Sequence, residues 1–139
     1  MGFFDYSWSI KDRIFDDFKT TLYMLFFSAI FAGLLGLILG IIMVVTDRGR
    51  ILENKVVYSI LDKLTNIFRS IPFVILLALV APLTRFIVDT RIGPKAAIVP
   101  LVVSCVPFFA RQVEQALAEV DPGVIEAAEA MGKSPFEII

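Results

Sequence analysis

The sequence predicts an all-α membrane protein, a polytopic bundle of three transmembrane helices that ends in a polar helix–turn–helix elbow. Three observations carry that expectation. The 139-residue chain is 58% apolar with a mean hydropathy of +0.82, more than a soluble domain of this size carries. Its longest run without a charge, Thr20 to Thr46, covers 27 positions. As a helix that run is about 40 Å long at about 1.5 Å per residue, against roughly 30 Å for a hydrocarbon core. The last stretch, 121–139, is by contrast polar, rich in small residues and marked by two helix-start signals.

Composition also excludes several function classes. The formal charge is −1, so no nucleic acid is expected as partner. There is no histidine and a single cysteine, Cys105, which leaves no intrachain disulfide and no Cys/His set for zinc. Neither GxxxxGK[ST] nor GxGxxG occurs. The chain is therefore expected to bind no cofactor and to hold no energy source of its own. Without histidine, and with carboxylates mostly in loops and at span ends, no acid–base pair or triad can be assembled, so an enzyme is the poorest reading. Cys105 lies in an apolar run and reads as an inert core thiol.

Residues 1–19 mix Phe3, Phe4, Tyr6, Trp8, Phe15 and Phe18 with acids and bases, a pattern suited to a membrane–water boundary. They are expected to form an interfacial helical lead-in that fixes the depth of the first span. The mixed charges and the long apolar run that follows disfavour a signal peptide. The first span, 20–46, is long enough to cross with some tilt. Ser28, Ala32, Gly36 and Gly40 fall four apart on it and give one small-residue face. Helix packing within the chain is the preferred use of that face, ahead of a dimer seam.

Asp47 to Lys55 reads as a charged loop turning at Gly49. The second span, expected over 64–88, is built on only 15 uncharged residues, Ser70 to Thr84, and must lean on the stems of Arg69 and Arg85. Pro72 and Pro82 interrupt it. After a loop closed by Gly93-Pro94, the third span, 94–113, holds a second 15-residue apolar run with Pro100 and Pro107 inside it. With no turn signal after Ala110, it is expected to continue into water as a stem to Glu119. Short, proline-broken spans suit a transport pathway, and Pro72, Phe73 and Pro107 are its candidates. An irregular packed bundle explains the same prolines almost as well. Positive charge barely chooses an orientation, with seven Lys/Arg on one side against six on the other.

The elbow, 121–139, carries its own punctuation. Asp121 is an N-cap followed by Pro122 at the first helical position. Gly132 stands where a left-handed residue ends a helix, and Ser134-Pro135-x-Glu137 is a capping box that starts another. Within it, Glu126-Ala127-Ala128, three residues, then Gly132 resembles the EAA signature of ATP-binding-cassette importer permeases. The runs Thr65–Phe73 (TNIFRSIPF), Arg91–Leu101 (RIGPKAAIVPL) and Val106–Leu117 (VPFFARQVEQAL) are similar, in order and spacing, to the methionine branch of that family. The resemblance covers Thr20 to Ile139.

That resemblance implies the transmembrane permease subunit of an importer for L- and D-methionine in the bacterial inner membrane. It implies a second copy of the permease, two cytoplasmic ATPase subunits that use the ATP, and an external methionine-binding lipoprotein. Glu126, Ala127, Ala128 and Gly132 are then the ATPase-coupling residues. The amino terminus lies outside and residues 114–139 in the cytoplasm. The family's signature runs on to an I-x-L-P end and two further spans, so the chain reads as an amino-terminal fragment of a five-span subunit. A permease for another amino acid, or an ATP-independent scaffold or channel subunit assembled through Gly36 and Gly40, stands as the alternative.

Overall fold

The computed structural model describes residues 3–139, with side chains described from Ile10 onward. The expectation that Phe3, Phe4, Tyr6 and Trp8 mark an interface concerns side chains outside those described. Among the described residues six helices follow one another: α1 (Phe3–Thr46), α2 (Lys55–Ser70), α3 (Phe73–Val88), α4 (Pro94–Ala118), α5 (Pro122–Ala130) and α6 (Pro135–Ile138). Two of them, over Ile10–Thr46 and Pro94–Ala118, are long and apolar enough to cross a membrane, and the bent pair α2–α3 makes a third if counted as one span.

The lead-in and the first apolar run form one unbroken helix of 44 residues. Within it Thr20 and Thr21 satisfy their hydroxyls by donating to the carbonyls of Asp16 and Asp17, at 2.9 and 2.8 Å. The loop that follows turns at Gly49, φ +72°, where the Glu53 carboxylate accepts from the Gly49 N–H at 2.9 Å. Asn54 then caps α2 by accepting from the N–H groups of Val56 and Val57, so two donors of the new helix are satisfied.

The second span departs from expectation. The helix foreseen over 64–88 is two helices, with a bend of 114° between them. The ring of Pro72 disfavours helical geometry at the residue before it, and Ile71 is extended at φ −78°, ψ 124°. Pro72 has no N–H to give the preceding turn. Its carbonyl instead opens α3, accepting from Ile75 and Leu76 at 2.9 and 3.0 Å. Pro82, Pro100 and Pro107 stay inside their helices. Residues 56–68, between the charged loop and the bend, belong to α2, an amphipathic helix on which Thr65 is the buried residue.

The core is the seam between α1 and α4, the most extensive packing in the chain. Ala32 and Met43 are fully buried on α1, and Ala110 on α4. A Cβ at Gly36 would lie 2.5 Å from the Cβ of Phe109, and one at Gly40 only 2.7 Å from the Ala110 carbonyl oxygen. Hydrogen in place of a side chain is therefore what lets the two backbones meet. The small-residue face is spent inside the chain, as its spacing suggested. α4 itself runs unbroken from the Gly93-Pro94 start to Ala118, so the third span and its stem are one rod.

Candidate functional site

The elbow forms as its residues dictate. Asp121 Oδ1 accepts from the Gly123 N–H at 2.8 Å, and Pro122 occupies the first helical position of α5. Gly132 takes φ +79°. Its N–H donates to Glu129 O at 2.9 Å while that of Lys133 donates to Ala128 O at 3.2 Å. This paired closure satisfies two carbonyls that a helix end leaves open, and its pivot must be left-handed. Glu137 reaches back to accept from the Ser134 N–H at 2.7 Å. That backbone bond, then the Ser134 side chain, holds the Glu137 carboxyl below its ordinary value; burial opposes them and Lys133 adds the least.

The elbow has two unlike sides. Ile125, Ile138 and Ile139 line an apolar hollow of about 350 Å³, shared with Leu37 and Val44 of α1 and Leu117 of α4. Outward stand Val124, Met131 and Phe136, the last 86% exposed. Of the four coupling candidates, Glu126, Ala127 and Gly132 are exposed and Ala128 is half-buried. They sit together on α5 and its terminal turn, and three residues, 119–121, join α5 to the end of α4. The junction is held lightly: Val120 N–H donates to Leu117 O at 3.2 Å, and Arg50 Nη2 reaches Ala118 O at 3.3 Å.

The path candidates are not brought to one place. Phe73, first residue of α3, lines a hollow of about 510 Å³ with Arg69, Ser104 and Phe108. Pro107 is buried in α4 and lines a separate apolar hollow of about 330 Å³ with Leu39, Leu61 and Phe68. Pro72 forms the bend between α2 and α3 and lines neither.

Sequence reasoning missed a polar cluster. The stem was expected to be solvated from Arg111 onward, yet Glu114 is only 8% exposed. Tyr58 Oη donates to Glu114 Oε1 at 2.8 Å, and Arg111 Nη1 to Glu114 Oε2 at 2.5 Å. Arg111 Nη2 crosses to Asp62 Oδ1 at 2.6 Å and Asn66 Oδ1 at 3.2 Å. The stem turns these groups toward α2, which covers them; that is why water does not. A signal existed: Tyr58, Asp62 and Asn66 fall four apart, and Arg111 and Glu114 three apart, each set on one helix face.

A bundle of apolar helices with a capped, outward-facing elbow suits a membrane protein that meets a partner at its surface, and the comparisons with known proteins make it a membrane component of a transport system. Residues 36–139 match the binding-protein-dependent transport system inner membrane components, and the chain belongs to that family. It is 52% identical over 119 residues to the D-methionine transport system permease protein MetI of Yersinia pestis, and 50% to that of Escherichia coli K12. Each alignment covers 86% of this chain and 55% of the relative, so the chain spans about half the length of the curated relatives it matches. Among solved structures it is similar to a chain of the MetNI methionine ABC transporter in an inward-facing conformation, with TM-score 0.82 at 50% identity, again over 55% of that chain.

Proposed function

We propose that the chain is part of the permease subunit of an ATP-driven methionine importer, and that α5 with its Gly132 turn is the lever a cytoplasmic ATPase moves. The subunit works as a pair, each copy engaging one ATPase, with an external methionine-binding lipoprotein delivering the amino acid. Residues 114–139 lie in the cytoplasm and the amino terminus outside. The observation that carries this reading is the elbow. A short helix fixed at both ends exposes Glu126, Ala127 and Gly132 at the tip of a 25-residue helix. The methionine relatives, about half identical to the chain, supply the substrate class.

The mechanism is leverage. The paired alanines let a partner surface come close to α5, and Glu126 offers it a carboxylate. The turn is closed by its own hydrogen bonds, so a push on α5 moves the elbow as one body and bears on the foot of α4. Access alternates between the two membrane faces as the helices rock. The path runs beside the α2–α3 bend, where Pro72 sets the angle and Phe73 faces a hollow, with Pro107 behind it. The assembly seam of the scaffold reading is already covered by α4 at Gly36 and Gly40.

The test is reconstitution of the complete subunit with its ATPase and binding protein in liposomes. ATP-dependent uptake of labelled methionine, competed by D-methionine and not by a polar amino acid, is expected. Uptake that needs no ATP, or an ATPase that binds equally well when Glu126 to Gly132 is scrambled, would overturn the reading.

A further inference from the structure

We propose that Arg111 is a positioning residue that makes α2 travel with α4, carrying the elbow's displacement on to the α2–α3 bend. The inference rests on the importer reading above and adds the route by which force leaves α4. Apart from this cluster, α2 is held by the Thr65 hydroxyl, which donates to Met43 Sδ of α1 at 3.8 Å, and by Leu61 and Phe68, which face α4 only across an apolar hollow. Val56, Ile60 and Ile67 are each more than half exposed, and Thr65 is its buried residue.

Three hydrogen bonds cross the gap. Tyr58 bonds Glu114, and Arg111 bonds Asp62 and Asn66. The three α2 positions extend over about 12 Å of helix, so the attachment resists rotation as well as sliding. Arg111 is the shared member: one guanidinium arm takes Glu114 of its own helix, the other takes α2. A planar fork with a fixed angle between its donors suits that task as a flexible ammonium does not. Glu114, whose oxygens are divided between Arg111 and Tyr58, lies seven positions before the elbow's cap at Asp121. At the far end of α2, two residues separate Ser70 from Phe73. The cluster is thus the polar link between the elbow's stem and the bend.

The experiment uses the complete subunit assembled with its ATPase in liposomes, on a Cys105→Ala background. Spin labels at Lys63 and Gln115, both exposed, report the α2–α4 distance with and without bound ATP. A second pair, at Met131 and Arg48, reports whether ATP moves the elbow. The unsubstituted complex is expected to keep one α2–α4 distance in both states while the elbow moves. Arg111→Gln is expected to let that distance change with ATP, and to lower methionine moved per ATP hydrolysed about tenfold, within the range found for residues that couple distant sites.

A merely structural role would lower hydrolysis and uptake together and leave their ratio intact. If Arg111→Gln is not recovered from the membrane, Asp62→Ala with Asn66→Ala removes the α2 partners and leaves Arg111 paired with Glu114. A variable distance in that variant supports the clamp, and a fixed one overturns it. Arg111→Gln with a fixed distance and an unchanged ratio also overturns it. An elbow that ATP does not move overturns the importer reading itself. A moving elbow with α2 left behind in the unsubstituted complex overturns only the clamp.

Discussion

α4 meets α1 on one face and α2 on another, and the two seams are made differently. Against α1 it presents Phe109, Ala110 and Val113 to glycines, with backbones close enough that a methyl group does not fit. Against α2 it presents Arg111 and Glu114 to a tyrosine, an aspartate and an asparagine. Close packing of small residues has one good geometry, because any separation opens a void with no atoms to fill it. A polar contact holds only while each buried group keeps a partner. One helix is therefore welded on one side and latched on the other, a sensible arrangement for a rod that must pass on a push.

The largest expected effect comes from breaking the weld. Gly40→Ala forces a methyl against Val113 and the Ala110 carbonyl, and overpacking of this kind destabilises by about 1–3 kcal/mol or more. Gly33 provides the control, because a Cβ there meets nothing within 4 Å. Gly33→Ala should be neutral or stabilising by up to about 1 kcal/mol through helix propensity. Thermal unfolding of the detergent-solubilised protein should move in opposite or clearly unequal directions for the two. Equal shifts would mean that the seam does not depend on the close approach.

Next comes the elbow, which neither seam supports. Gly132→Val places a β-branched residue in left-handed geometry, at about 1–2 kcal/mol, and the two hydrogen bonds that close α5 depend on that geometry. The α1–α4 core should be unaffected, so melting should change little. ATPase recovered on the purified subunit should fall roughly tenfold, the equivalent of about 1.4 kcal/mol. Undiminished recovery would show that the bent form is not the one that docks.

The latch is the gentler target. Tyr58→Phe removes one crossing hydrogen bond and leaves Glu114 paired with Arg111, so a loss of about 1 kcal/mol is expected. A double cycle with Asn66→Ala then measures whether the two crossings share work. Additive losses would mean two separate contacts; a coupling energy of about 0.5 kcal/mol or more would mean one network.

The same contrast explains what could be read before any coordinates. The apolar helix over 20–46, its small-residue face, the unbroken α4 and both caps of the elbow rest on neighbouring residues, and each was legible; that the lead-in joins the first span in one helix was not. The bend was not. Pro72 breaks its helix while Pro82, Pro100 and Pro107 sit inside theirs, and residue type cannot distinguish them; the packing around each decides. Nor was the latch, because Arg111 and Asp62 are 49 residues apart in sequence and Tyr58 and Glu114 are 56. Their meeting depends on the register of α2 against α4. A charged residue past an apolar run looks like the start of water until the helix that covers it is known. Phe73 and Pro107 were chosen for lying in broken spans, and the fold puts them in adjoining hollows rather than one.

The smallest effect should come from acid on the elbow, which the two seams do not feel. Glu137 accepts from the Ser134 N–H, and its carboxyl titrates below its ordinary value of 4.5. A depressed folded value means that the unfolded segment takes up a proton first. The stabilisation of α6 is therefore full above pH 4.5 and fades as pH falls through the lower folded value. The Ser134 amide shift, followed by nuclear magnetic resonance in detergent micelles, should be flat near neutrality and move only below pH 4.5. Glu137→Gln should remove the transition while leaving the bulk of the helical circular dichroism in place. A transition that persists in Glu137→Gln would mean that another group titrates there, and that the second helix of the elbow is not held by its own capping carboxylate.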